Sequence, residues 1–455
     1  MSSKDAELVD DALTLLEYAS FMIPDVGALV AGVISIIHSA VRGAPRPSDG
    51  QAVADMIREA TAEHFSEELA VFLREEHDDY FDALHHLEDR GTRGDNAEDL
   101  FRSRVRAMVA PGSSFMRAVA SLTAQDMQRR DFLAWQWAMS FELLVLQQAL
   151  LLDAETSEPK ASAYLPMVMT RLHKSALHAT RVLGALDSEI RERKARFSEL
   201  REVTTSFPFP VTHYDFDDGQ ERIEFGSAMD REEAERRRRE AMDAAELRVW
   251  QSYFGEGDID AQRRSRSGVE QWIADLCELR DERIRAFVVR DDEGDPAPPL
   301  LTSVPLPSPL DDGLVRTQNV AIDSFAQDGT THSAIRWIGP SDEHWVEFAL
   351  PADRLTRDHI AIELVHDNAD PFRVATIGLR SAGSALHDLP VVFPQTGGWD
   401  ASALGSRFVP VELPDDRQDL ALRLQGSPWG PDLYGFRIHP LVGYAGSSDL
   451  LGGDD

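Results

Sequence analysis

Three observations predict an α+β multidomain chain: an amino-terminal region of apolar residues at helical spacing, one uniformly apolar stretch near its middle, and a carboxyl-terminal region of short alternating runs. Helices repeat their buried positions every three to four residues and strands every two, so the change of period marks a change of architecture. The predicted organisation is an α-helical bundle around a central apolar helix over residues 1–295, then a proline-rich linker over 296–312. An antiparallel β-sandwich of jelly-roll type over 313–447 and a disordered tail over 448–455 complete it.

The central element is "DFLAWQWAMSFELLVLQQALLLDA", Asp131 to Ala154. As a helix, Phe132 to Leu152 would span roughly 30 Å, the depth of a bilayer's hydrocarbon core. Against permanent insertion, Glu142 would lie near the midplane, where a charge costs on the order of 3 kcal/mol. Gln136, Ser140 and Gln147 form a polar seam at helical spacing. A helix apolar nearly all round is ordinarily one wrapped by others. Three readings stand: a core helix, a membrane span, or one helix that does both at different times.

The flanking segments suit a bundle. Leu8–Ile23 is apolar at helical spacing and stops at Pro24, and "VGALVAGVISIIHSAV" (Val26–Val41) carries Ala28 and Gly32 for close helix contact. Gln51 to about Asp89 is amphipathic, with a carboxylate-rich outer face. "EDRGTRGDN" (Glu88–Asn96) is a loop placing Arg90 and Arg93 beside glycines, where a trypsin-like protease would cut. Helices follow through Phe101–Met127, Tyr164–Val203, Asp230–Tyr253 and Ser265–Val289, with Thr205–Phe225 as a break. "DDEGDPAPPLLTSVPLPSPLDDG" (Asp291–Gly313) has no period and reads as a semi-rigid connector. Beyond it, "WVEFAL", "HIAIELV", "RVATIGL", "FVPVEL", "LALRL" and "YGFRIHPL" alternate between turn residues, the pattern of a sandwich of about eight strands.

A formal net charge of −33 and a pI near 4.7 oppose general affinity for nucleic acid or anionic lipid. Lysine is confined to Lys4, Lys160, Lys174 and Lys194. The one cysteine, Cys277, excludes an intramolecular disulfide and a cysteine metal cluster, and reads as a small buried hydrophobe. The acidic start "MSSKDAELVDD" lacks a secretory signal pattern, so synthesis in the cytoplasm and release by another route are expected.

Catalytic signals are poor. There is no Walker loop, Rossmann glycine fingerprint, nucleophile elbow or His-Glu-x-x-His, so no enzyme, no cofactor and no metal site is expected. His77 and His85 in "HDDYFDALHHLED" stand two helical turns apart, too far to share an ion unaided. "DFDDG" (Asp215–Gly219) reads as a turn, and the arginine run Arg236–Arg239 as a solvated helix face.

The order of elements resembles the insecticidal delta-endotoxins, the three-domain crystal toxins, most specifically at "LAWQWAMSFELLVLQQALLLDA". "IPDVGALVAGVISIIHSAV" looks like the family's first helices, "LYGFRIHPL" like its closing sandwich strand and "AIRWIG" like an inner one. The family's middle β-prism has no room here, so receptor choice does not carry over. The resemblance implies pore formation. A hairpin containing the central helix would enter a target membrane, with Trp135, Gln136, Trp137, Ser140, Phe141, Glu142 and Gln147 as inserting or pore residues and a homo-oligomer as the pore. It also implies proteolytic activation, placed at Arg90 and Arg93. The alternative is a non-enzymatic binding or assembly protein: a helical scaffold displaying a carbohydrate-binding-like sandwich. In either case Trp345, Trp399 and Trp429, in or beside loops, are the candidates for stacking on the sugar of a glycan or glycoprotein receptor.

Overall fold

The computed structural model describes a few residues between 72 and 83 and, with gaps, residues 97–444. Among the described residues the helices are α1 (Ala97–Val109), α2 (Ser114–Ala124), α3 (Phe132–Ala154), α4 (Tyr164–Ala195), α5 (Arg231–Phe254) and α6 (Ile259–Arg285). A helix with no polar face can be buried only by being surrounded. α3 meets that condition, packing against α1, α2, α4 and α5. Phe141 takes the edges of Tyr80 and Phe115, at ring separations of 5.6 and 5.3 Å, and Trp135 stands edge-on to Trp272 of α6 at 5.8 Å.

The polar seam of α3 faces protein. Ser140 donates to the Gln136 carbonyl 2.9 Å away, within its own helix. Glu142 is fully buried, with Arg171 Nε of α4 at 3.0 Å from its Oε1. Distance makes this an ion pair, although the N–H is not aimed at the oxygen. Burial outweighs that partner and lifts the Glu142 pKa to about 7. Among the described residues no helix is long and apolar enough to cross a membrane. Trp135, Gln136, Ser140, Phe141 and Glu142 are all buried in the core, and nothing further supports the insertion expected of them. Trp137 and Gln147 lie on α3, but their side chains fall outside the described residues, as do Arg90 and Arg93.

α4 buries Leu165, Val168, Met169, Leu172, Ala176, Ala179, Leu183, Leu186 and Ile190, a stripe at steps of three and four. It ends at Ala195, short of the expected Val203. The chain then forms an antiparallel meander of β1 (Arg201–Thr205), β2 (Val211–Asp217) and β3 (Arg222–Phe225) where a break was expected. Asp215, read from sequence as a turn residue, sits buried on β2 and pairs with Arg201 at 2.9 Å. α5 is charged on its outer face, Arg236 and Arg237 pairing with glutamates one turn away; it buries Ala234 and Ala245 with Phe197 and Phe216, and its last turns through Val249, Trp250, Tyr253 and Phe254. Gly255 and Gly257, both at positive φ, reverse the chain, and Asp258 caps α6 by accepting from the Ala261 amide at 2.8 Å.

The sandwich is built from β4 (Leu301–Ser303), β5 (Val315–Gln318), β6 (Ala321–Gln327), β7 (Thr330–Arg336), β8 (Trp345–Ala349), β9 (His359–Asp367), β10 (Phe372–Ser381), β11 (Ser384–Pro394), β12 (Gly405–Glu412), β13 (Leu420–Gly426) and β14 (Asp432–Pro440). One sheet runs β11-β10-β13-β8-β5 and the other β12-β9-β14-β7-β6, with β4 pairing β14. Part of the expected linker thus belongs to the sandwich: β4 extends a sheet and Leu306 bridges to Ser333. β13 alternates buried Leu420, Leu422 and Leu424 with partly exposed Ala421, Arg423 and Gln425, as a strand covered on one face should. β9 is buried almost throughout, because the helices cover its second face. α4 and α6 pack on β11, and α6 also on β12, the edge strands of the two sheets on one side.

Candidate functional site

Strand register places the β5–β6, β7–β8, β9–β10 and β13–β14 connections at one end of the sandwich: Gln318 is opposite Trp345, Trp345 opposite Gln425, Ala321 opposite Arg336, and Asp432 opposite Asp367. Two of these loops, 337–344 and 427–431, are tied by their backbones. Gly430 N–H donates to the Ile338 carbonyl at 2.7 Å, and Gly426 N–H to the Gly339 carbonyl at 2.9 Å. The approach requires glycine. A Cβ on Gly426 would collide with the Ile338 carbonyl oxygen and the Gly430 nitrogen, and one on Gly339 would stand 2.9 Å from His344 Cβ and 3.1 Å from the Trp429 ring.

On this seam stand two large exposed aromatic residues. Trp337 is 68% exposed and holds φ +60, a conformation that bulky side chains rarely adopt. Trp429, on the facing loop, is 46% exposed and meets the His344 ring edge-on at 6.4 Å. The support beneath them is ionic. Arg336 lies between Asp432 at 3.0 Å and Asp323 at 3.1 Å. Burial raises the Asp432 pKa to about 6 despite Arg336. Arg373 donates to the Gly430 carbonyl at 2.6 Å and pairs with Asp370 at 2.8 Å, pinning the 427–431 loop to β10. The Tyr434 hydroxyl donates to Asp367 at 3.2 Å deeper in the same end.

The sandwich resembles carbohydrate-binding modules. Only this carboxyl-terminal part of the chain matches them. A family 35 carbohydrate binding module from Clostridium thermocellum is 14% identical, with a TM-score of 0.24 over 31% of this chain and 98% of its own. A module of Cellvibrio mixtus lichenase 5A, solved with cellotriose, is 14% identical, with a TM-score of 0.24 over 32% of this chain and 100% of its own. A β-1,3-glucan binding module from Bacillus halodurans is 24% identical, with a TM-score of 0.21 over 27% and 87%. No family model matches the chain, that of the delta-endotoxins included, and no curated protein matches it.

Of the tryptophans singled out from sequence, Trp429 stands at the loop end with its ring in solvent, and Trp399 lies outside the described residues. Trp345 sits at the same end but is occupied: the Arg423 guanidinium lies 4.2 Å from its ring centroid, itself held by Glu347 at 2.8 Å. Trp337 was missed. Its signal was the pair Trp337-Ile338 ahead of Gly339, which reads as a strand continuing, whereas β7 ends at Arg336 and the positive φ turns the indole outward. Among the described residues no group of histidine, cysteine, aspartate and glutamate side chains could hold a metal ion.

Proposed function

We propose that this protein is a non-enzymatic binding protein whose helical body carries a β-sandwich that recognises carbohydrate through Trp337 and Trp429. The observation that carries the reading is Trp337, two-thirds exposed on a strained backbone beside a second exposed tryptophan. Strain of this kind costs about 1–3 kcal/mol and persists only where the surroundings impose it. An outward indole also forgoes burial that would otherwise stabilise the fold. A flat apolar face beside hydrogen-bonding groups is what the C–H face of a pyranose ring packs against, its hydroxyls turning to the polar rim. Supporting the rim are His344, Arg336 and Arg373, all on the loops or strand ends that frame the pair. The pore-forming reading is not carried further, since among the described residues no helix is long and apolar enough to cross a membrane.

The test is binding by the full-length protein on a glycan array, followed by titration of each hit through tryptophan fluorescence. A sugar covering about 80 Å² of Trp337 removes ~2 kcal/mol of apolar exposure, so Trp337→Ala should weaken binding by roughly thirtyfold. The thermal midpoint should stay unchanged or rise as strain is relieved. No binding on the array, or equal affinity in Trp337→Ala and Trp429→Ala, sinks the proposal.

A further inference from the structure

Where α6 meets β12, a second group of residues is left electrically unbalanced. Arg280 of α6 is 1% exposed; its Nη1 reaches the Phe408 carbonyl at 3.3 Å, and its Nε and Nη2 have no hydrogen-bond partner among the described residues. Arg407 of β12 is 3% exposed and donates through Nη1 to Asp281 Oδ2 at 2.5 Å and to the Cys277 carbonyl at 2.9 Å. Its Nε likewise has no partner there. The Tyr444 hydroxyl, against Arg280, is a further buried donor in the same condition. Two guanidinium groups thus share one carboxylate, Asp281, whose Oδ2 takes the Arg407 bond and whose Oδ1 has no hydrogen-bond partner among the described residues; one acceptor atom therefore stands beside the unpaired donors, and the net charge of the three groups is still positive. Half-buried His173 adds no charge, since burial and then the Arg280 and Arg407 charges hold it neutral.

We propose that Arg280, Arg407 and Tyr444 enclose a site for a small monovalent anion of halide size, which locks the helical body to the sandwich. A buried charge without a partner is among the costliest features a fold can carry. Water would satisfy the N–H and O–H donors but not the net positive charge; an anion satisfies both. The donor set fits, because guanidinium N–H and phenol O–H groups only donate toward an anion. The near-complete burial of Arg280, Arg407 and Asp281 restricts the occupant to a small one. The proposal is independent of the loop-end tryptophans.

The experiment uses the full chain. Crystals grown with bromide replacing chloride at about 0.15 M, the ionic strength of the cell, should show an anomalous peak within hydrogen-bonding distance of Arg280 Nε or Nη2. Exchange of chloride for the bulkier gluconate at constant ionic strength should lower the thermal midpoint by about 3 °C. In Arg280→Met that dependence should vanish. A water molecule or no density at this position in the bromide crystals overturns the proposal, as does a midpoint indifferent to the anion. If Arg280→Met does not fold, the bromide map and the anion exchange on the unmodified protein decide the matter.

Discussion

Replacing Glu142 by glutamine tests whether the centre of α3 is a permanent interior. Its carboxyl is fully buried, burial being the largest influence on it and Arg171 the opposing one, and its pKa stands at about 7 against 4.5 in an unfolded chain. Folding therefore takes up a proton at this site between those values. Below pH 4.5 both states are protonated and the residue adds no pH-dependent cost; as pH rises to 7 the unfolded state ionises first and stability falls. The loss amounts to about 1 kcal/mol at pH 5.5 and about 3 kcal/mol at pH 8. Glutamine keeps the shape and removes the titration, so Glu142→Gln should gain on the parent by about 2 kcal/mol between those two pH values. Effects that do not change with pH, such as repacking around the amide, cancel in that difference, while the Arg171 pairing is already contained in the pKa. Denaturant unfolding of both proteins at each pH, on the soluble side of the pI near 4.7, measures it. A gap that does not widen with pH would mean that Glu142 is hydrated, and that α3 opens to water more readily than its packing implies.

The buried pair at the helix–sandwich boundary should be far more costly to break than any surface pair: Asp281→Ala leaves Arg407 and Arg280 facing one another and should cost about 3–5 kcal/mol by denaturant unfolding. Gly426→Ala drives a methyl group into the Ile338 carbonyl oxygen, and should lower stability by more than about 2 kcal/mol and disturb the fluorescence of Trp429. Asp258→Ala removes the α6 cap and should cost about 1 kcal/mol, read as a lower thermal midpoint.

What the sequence made legible follows from how local each signal is. α3, α5 and α6 were visible because period and composition agree along one segment, and β8, β9, β10, β12, β13 and β14 because they alternate or are densely apolar. β7 was glimpsed only at its end, where "AIRWIG" was read as an inner strand by resemblance, and β5 and β6 were not visible, since "VRTQ" and "AIDSFAQ" gain their place by pairing. The meander at β1–β3 was hidden for the same reason, and "REVTT" was absorbed into the preceding helix. At the loop end, Trp429 was found because proline and glycine flank it. Trp337 was not, because nothing in its neighbours announces a positive φ. The unbalanced arginines could not be read at all, being brought together from positions 280 and 407 only by folding.

The covering of β11 and β12 by α4 and α6 bears on how this chain can be re-engineered. An open strand edge is a template for pairing with any other chain, and here the helices occupy that side of both sheets. A sandwich cut away at the proline-rich segment would carry two bare edges and an Arg407 stripped of Asp281, so it should self-associate rather than behave as a portable module. New recognition properties are better sought by exchanging the 337–344 and 427–431 loops in place. The helical body is then less a passenger than a cover for the sandwich's exposed edges.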